Sequence, residues 1–261
     1  MVEGVLLDID GVLTVSWEPL PGATHTIDWL REHEIGFRLV TNTSSRSRDE
    51  IAELLSAAGM AVGVEQIDTA VTSAATHLAE HHRSVGCYVV NDGGDLAEDL
   101  TGVEVAAAAD AGVVLLGGAG PDVGYDQLNA AFRLADASAP VVALHRNTRF
   151  QTADGPALDM GAFLVGLETA TGCVTTVVGK PAAAFFHAAL AGLGVEAADA
   201  VMVGDDIGSD VLGAQAVGLT GVLVRTGKFR PADLDSADPP PDHVIDGVGE
   251  LPALLQKLNG A

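Results

Sequence analysis

Short apolar runs alternate with stretches of helical period along much of the chain. Val5-Leu6-Leu7 reads as a buried strand that meets a loop at Asp8 and Gly11. A helical stretch from about Ala23 to Glu34 stops at Gly36, and Phe37-Arg38-Leu39-Val40 follows as a second strand ending at Thr41-Asn42-Thr43-Ser44. Ser47 to Ala58 repeats the helical period and closes at Gly59. Ile67 to Val71 reads as another strand, ahead of a helix from about Ser73 to His81. The same pattern returns late in the chain. Ala200-Val201-Met202-Val203 and Gly221-Val222-Leu223-Val224 are buried strands with a helix near Asp210 to Val217 between them. Such alternation predicts an α/β fold, a doubly wound parallel sheet with helices on both faces.

The intervening block has a pattern of its own, with strands at Cys87 to Val90, Val113 to Leu116 and Val141 to Leu144 and helices from about Tyr125 to Ala135 and Gly161 to Thr171. At 261 residues the chain exceeds the usual size of one compact domain. The reading therefore divides it into a core of residues 1–82 and 177–261 and an inserted α/β unit of residues 83–176. Pro239-Pro240-Pro241 marks a turn or linker before a closing helix near Leu251 to Leu258.

No apolar run approaches the ~18 to 20 residues of a spanning helix, and the N-terminus lacks the pattern of a signal peptide, so a cytoplasmic location is expected. Cys87 and Cys173 lie far apart in apolar surroundings and read as buried structural thiols rather than a disulfide. The formal charge of −23 creates a field that repels nucleic acid and anionic membrane. It repels phosphorylated molecules equally, so a site for them needs a local cation, either a metal or a lysine. The acidity also serves solubility or a salty cytoplasm.

Several residues could carry such chemistry. Asp8 and Asp10 flank Ile9 at the end of the first strand, and Gly11 supplies the freedom for both carboxylates to converge. Gly204-Asp205-Asp206-Ile207-Gly208-Ser209-Asp210 places three carboxylates within six positions after another buried strand. A capping turn needs only one of them, and the excess of hard oxygen ligands suits magnesium. Lys180, one of three lysines, sits in Gly179-Lys180-Pro181 before an expected helix, with Pro181 at its first position and the helix N-terminus favouring phosphate. Thr41 and Asn42 end the second strand and can hold phosphate oxygens without adding charge. The motifs at Asp8, Thr41 and Asp205 all follow buried strands, and ligands of open parallel sheets bind at the carboxyl ends of strands.

The order Asp8-Ile9-Asp10-Gly11-Val12-Leu13, then Val40-Thr41-Asn42, then Gly179-Lys180-Pro181, then Gly204-Asp205-Asp206 with Asp210, resembles the haloacid dehalogenase superfamily over nearly the whole chain. The long insertion is similar to the α/β cap of its NagD-like phosphatases. Gly213-Ala214-Gln215 and Val224-Arg225-Thr226-Gly227-Lys228-Phe229-Arg230-Pro231 look like the phospholysine phosphohistidine inorganic pyrophosphate phosphatase branch. One departure is that animal members of that branch have Ser where this chain has Asp10.

The resemblance implies a Rossmann-like core with an inserted cap and a magnesium-dependent phosphatase acting on a small phosphorylated substrate through an aspartyl-phosphate. In that scheme Asp8 is the nucleophile, Asp10 the general acid and base, and Lys180 the phosphate neutraliser. Asp8, Asp10 and Asp205 hold magnesium, Thr41 and Asn42 bind phosphate, and Asp206 and Asp210 act behind them. His145, Arg146 and Asp159 are the cap residues expected to set specificity. Relatives often dimerise through the cap, so a homodimer is the oligomer the resemblance suggests. Two other readings stay open on the sequence: a catalytically idle phospho-ligand or partner-binding module on the same fold, and a family member with phosphotransferase or dehalogenase chemistry.

Overall fold

The buried apolar runs assemble as two parallel sheets, each in its own compact unit, in a computed structural model that describes residues 1–93, 96, 98–152 and 155–260. The first unit comprises residues 1–41, 48–68 and 180–261, and the second residues 42–47 and 69–179. Elements are numbered through both units in chain order.

The first unit opens with β1 (Gly4–Leu7), a small hairpin of β2 (Thr14–Val15) and β3 (Glu18–Pro19), α1 (Ala23–Glu32), β4 (Gly36–Thr41), α2 (Arg48–Ala57) and β5 (Ile67–Thr69). It resumes with α6 (Ala183–Leu193), β12 (Ala200–Gly204), a π-helical turn over Ile207–Leu212, α7 (Gly213–Gln215), β13 (Thr220–Val224), α8 (Pro231–Ser236), β14 (His243–Ile245) and α9 (Leu251–Asn259). The strand order is β14-β13-β12-β1-β4-β5, and β1 pairs in parallel with both β12 and β4. Alternate residues of each strand feed opposite faces. Val5, Leu7, Val201 and Val203 pack with Ile27, Leu30, Ile51, Leu55, Leu251 and Leu255 on one side. Leu6, Val40 and Met202 pack with Phe185, Phe186, Ala189 and Leu190 on the other. Both faces are covered, which is why these strands are apolar throughout instead of alternating.

The second unit contains α3 (Ala70–His81), β6 (Gly86–Val90), β7 (Ala111–Leu116), α4 (Tyr125–Asp136), β8 (Val141–Ala143), a hairpin of β9 (Arg149–Thr152) and β10 (Gly155–Leu158), α5 (Met160–Thr171) and β11 (Thr176–Val177). Its four-stranded sheet runs β11-β8-β7-β6, and each pair is parallel. Val113 and Leu115 face Val71, Ala74 and Leu78 of α3. Val114 and Leu116 face Ala131 of α4 and Leu164 of α5.

Residues 42–47, 69–82 and 177–179, all read from the sequence as core, group with the second unit, and for 69–82 the reason is that α3 buries its apolar face on that unit's sheet. The strand expected to reach Val71 ends at Thr69. The Thr69 side chain accepts the Thr72 N–H at 3.1 Å, and the Thr72 hydroxyl donates to the Thr69 carbonyl at 2.9 Å, which starts the helix three residues earlier than Ser73. Cys87 is buried and Cys173 half-buried, both as free thiols, and burial pushes the Cys87 thiol up to about 12. Among the described residues no helix is long and apolar enough to cross a membrane.

Candidate active site

The sheet order reverses between β1 and β12, with β4 and β5 on one side and β13 and β14 on the other. A parallel sheet leaves a crevice at the carboxyl ends of its strands at such a point. Leu7 is in register with Val203, so Asp8 and Asp205 emerge from adjacent strand ends. Asp8 is 5% exposed, Asp205 2%, Asp210 1% and Lys180 2%. Three carboxylates this deep require compensation, since charges lose solvation on burial.

Lys180 supplies it. Its Nζ donates to Asp8 Oδ1 at 2.7 Å and to the Val40 carbonyl at 3.1 Å, and it pairs with Asp210 Oδ1 at 2.8 Å. Burial disfavours the ammonium, but Asp210 and Asp8 together outweigh it and hold its pKa above the ordinary lysine value. Burial, then the Asp8 and Asp210 charges, push Asp205 up to about 8. Burial pushes Asp210 up to about 6 although Lys180 pulls the other way. The helix expected to begin at Pro181 begins at Ala183, so Lys180 lies three residues before it and acts through its side chain rather than from the helix terminus.

The acidic loop divides its labour. Asp206 Oδ1 accepts the N–H groups of Gly208 and Ser209 at 3.0 Å each, which is the capping role that needs one aspartate. Asp210, brought under the strand end by the π-helical turn, receives the Asp206 N–H at Oδ2 at 3.1 Å. Asp205 Oδ2 receives the Lys228 N–H at 2.7 Å, and its Oδ1 is buried with no hydrogen-bond partner among the described residues.

Two glycines with positive φ, Gly11 at 87° and Gly227 at 61°, pack directly against the Asp205 carboxylate, where a Cβ on either would collide with Oδ2. The Thr226 hydroxyl donates to the Gly11 carbonyl at 2.5 Å and fastens the loop after β13 to the loop after β1. Lys228, in the first of these loops, was not among the site residues read from the sequence; its scarcity and its place beside a Thr-Gly pair were the available signals. It is exposed, yet Asp205, Asp8, Asp210 and Asp206 outweigh desolvation and raise its pKa. Asp10 is also exposed. Desolvation raises its pKa, with Lys228 and then Lys180 acting in the opposite direction.

The structure thus gathers Asp8, Asp205, Asp210 and Lys180, with Asp206 behind them and Asp10 and Lys228 within electrostatic reach. Thr41 is the last residue of β4 and is buried, while Asn42 opens the first short stretch of the second unit. The other three candidates belong wholly to that unit. Asp159 caps α5, accepting the Met160 N–H at 2.8 Å. His145 is buried with Nε2 3.9 Å from Asp159 Oδ2, and its Nδ1 accepts the Asn147 N–H at 3.3 Å, which places the neutral ring's proton on Nε2. Arg146 forms a two-pronged pair with Glu168 at 2.9 and 2.6 Å.

The donors suit a hard divalent cation. Asp8, Asp205 and Asp210 each offer an oxygen within 4.8 Å of the others, and the partnerless, buried Asp205 Oδ1 is the kind of atom that a cation satisfies. Asp210 has Oδ1 engaged by Lys180 and Oδ2 by the Asp206 N–H, whereas Lys180 engages only Oδ1 of Asp8, so Asp8 and Asp205 are the better placed pair.

A Rossmann-like sheet with this acid and lysine cluster at its switch point defines a class, and the comparisons agree with it. Residues 5–106 match the profile of haloacid dehalogenase-like hydrolases and residues 177–251 that of HAD-hydrolase-like proteins. The chain belongs to the haloacid dehalogenase-like hydrolases and, within them, to the NagD-like phosphatases. It is 38% identical to Haloacid dehalogenase-like hydrolase domain-containing protein 2 of Homo sapiens, over 95% of this chain and 96% of that one. It is 34% identical to the phospholysine phosphohistidine inorganic pyrophosphate phosphatase of Homo sapiens, over 97% and 94% respectively. Among solved structures, the 4-nitrophenylphosphatase of Thermotoga maritima superposes with a TM-score of 0.89 at 26% identity, covering 97% of each chain. NagD from E. coli K-12 does so with 0.84 at 25%, covering 95% of this chain and 98% of that one.

Proposed function

We propose that the protein is a magnesium-dependent phosphatase of small phosphorylated molecules, a phosphomonoester, a pyrophosphate or a phosphoamide, with Asp8 as its nucleophile. The observation that carries this reading is the buried Lys180 ammonium between Asp8 and Asp210. It sets a positive charge against the buried carboxylate that would act as nucleophile. An Asp8 oxygen attacks phosphorus in line, the bond from phosphorus to the leaving oxygen breaks, and Asp10 gives that oxygen a proton. Water then attacks the aspartyl-phosphate, Asp10 takes the proton back, and phosphate leaves with Asp8 restored. The desolvation that raises the Asp10 pKa favours the protonated form needed in the first step, and general acid–base help of this kind contributes ~10² to 10⁴ in rate.

Asp8, Asp205 and the Asp10 backbone carbonyl would hold magnesium, whose charge would offset that of the phosphoryl oxygens. Thr41 and Asn42 would bind phosphate oxygens without adding charge, and Asp206 and Asp210 would position Asp205, Lys180 and their neighbours. The second unit would act as the specificity-setting cap, with His145, Arg146 and Asp159 as its candidate residues. A homodimer through that unit, in the cytoplasm, completes the proposal; exposed Tyr125, Leu158, Val165 and Val174 there give an interface apolar material.

Phosphate release from a panel of phosphometabolites, with and without magnesium, tests the reading. The expected result is magnesium-dependent turnover that Asp8→Asn abolishes. Full activity in that variant would remove Asp8 as nucleophile, and no turnover of any compound would favour a binding module.

A further inference from the structure

We propose that Lys228 selects substrates whose leaving group is itself an anion, a carboxylate or a second phosphate, by pairing with that negative charge beside Asp10. The inference rests on the phosphatase reading above and deepens it.

The first argument is one of supply. An ammonium has three hydrogens. Those of Lys180 are met by Asp8 Oδ1 at 2.7 Å, Asp210 Oδ1 at 2.8 Å and the Val40 carbonyl at 3.1 Å, all in the interior of the first unit. Lys180 therefore maintains the carboxylates and has no hydrogen to spare for a second anionic group. Lys228 is in the opposite condition. It is exposed, and its ammonium enters no ion pair among the described residues, although four aspartates surround it electrostatically. In a chain of net charge −23, a cation left unpaired at the edge of an acidic crevice is the place where an approaching anion gains most.

The second argument is one of position. Lys228 is held by its backbone, not by its side chain. Its N–H is bound to Asp205 Oδ2 at 2.7 Å, Gly227 takes a positive φ that brings its Cα against Gly11, and the Thr226 hydroxyl holds the Gly11 carbonyl at 2.5 Å. These contacts tie the residue to the loop that carries Asp10 while leaving the ammonium able to turn toward a ligand. Of the two lysines, Lys228 acts more strongly on Asp10. Asp10 is the proposed acid for the leaving oxygen and sits on the loop that Thr226 and Gly227 hold, so an ammonium turned toward that loop would meet the leaving group, opposite in task to Lys180.

Matched substrates isolate the charge. 3-Phosphoglycerate differs from glycerol 3-phosphate by a carboxylate in place of a hydroxymethyl group, and pyrophosphate supplies a leaving phosphate where phenyl phosphate supplies a phenol. With the full chain and magnesium, the wild type is expected to prefer the anionic member of at least one pair in kcat/KM. Lys228→Met should cut that preference about 10- to 100-fold, the range of a hydrogen bond to a charged group, chiefly through KM, and Lys228→Arg should keep most of it.

A wild type without preference, or a preference that survives Lys228→Met, would overturn the proposal. So would an equal loss on both members accompanied by a shift in the magnesium concentration for half-activation, since that pattern assigns Lys228 to the carboxylates instead. Absence of turnover of every substrate by the wild type would be the distinct failure of the phosphatase reading, and would take this inference with it.

Discussion

Lys180 shows how one side chain can decide whether a site exists. Three carboxylates converge at a depth where solvent cannot screen them, and the lysine among them is what makes the arrangement tolerable. Lys180→Met should cost about 3 to 5 kcal/mol in urea unfolding of metal-free protein, as expected when a buried ion pair loses one partner. The loss should be larger at alkaline pH than at acid pH, because protonation relieves the remaining aspartates as pH falls. At this scale much was legible from residue types. Asp8, Lys180 and Asp205 stand out as acids and a scarce lysine next to apolar runs. Asp206 and Asp210 were indistinguishable by type, and only the path of the turn over Ile207–Leu212 makes one a cap and the other a lysine partner. Arg146 and Asp159 read as candidate cap residues, but their charges pair with Glu168 and cap α5, respectively, which no local pattern announces.

At the scale of elements, the site is an arrangement of strand ends and the loops that follow them. The loop after β13 carries no acid, yet it closes on Asp205 through Gly227, which meets Gly11 of the loop after β1, both in a conformation that side chains disfavour. Gly227→Ala should destabilise the fold by about 1 to 2 kcal/mol from backbone conformation alone. Displacement of the Asp205 carboxylate should add a loss of magnesium binding, visible by calorimetry. An unchanged magnesium isotherm would mean that the Asp205 contact is not needed for binding. Strands were legible as short continuous apolar runs and long helices by a period of 3.6, both patterns that burial imposes on the sequence. The two-residue strands β2, β3 and β11 and the short β14 have too few positions to show a pattern. The start of α3 at Ala70 was signalled by Thr69 and Thr72, but the apolar Ala70-Val71 extends the strand pattern across that cap.

For the molecule as a whole, charge and pH are the governing quantities. Asp205 and Asp210 have folded-state pKa values of about 8 and about 6, above those of an unfolded chain. Between the unfolded value near 4 and these values the folded protein binds more protons than the unfolded one, so this contribution to stability is complete at low pH and is lost as pH rises through about 6 to 8. Magnesium held as proposed at Asp205 would have to displace the proton there. The gain in melting temperature on adding magnesium in place of a chelator should therefore be greater at about pH 8 than at about pH 6, with proton release on binding detectable in buffers of different ionisation enthalpy. A magnesium effect independent of pH would contradict the placement of the ion at Asp205.

The amino-acid order alone carried the fold class, the inserted second α/β unit and the acids and lysine that mark the family, because buried parallel strands must be apolar throughout and the loops that follow them hold the polar residues. Where one unit ends and the other begins was a matter of which sheet α3 covers, which its own period does not state. The division of roles among neighbouring aspartates, and the recruitment of Lys228 from a loop far along the chain, depended on distances across the sheet edge. Those distances arise only when β1, β12 and β13 lie side by side, since adjacency in a parallel sheet is independent of separation in sequence.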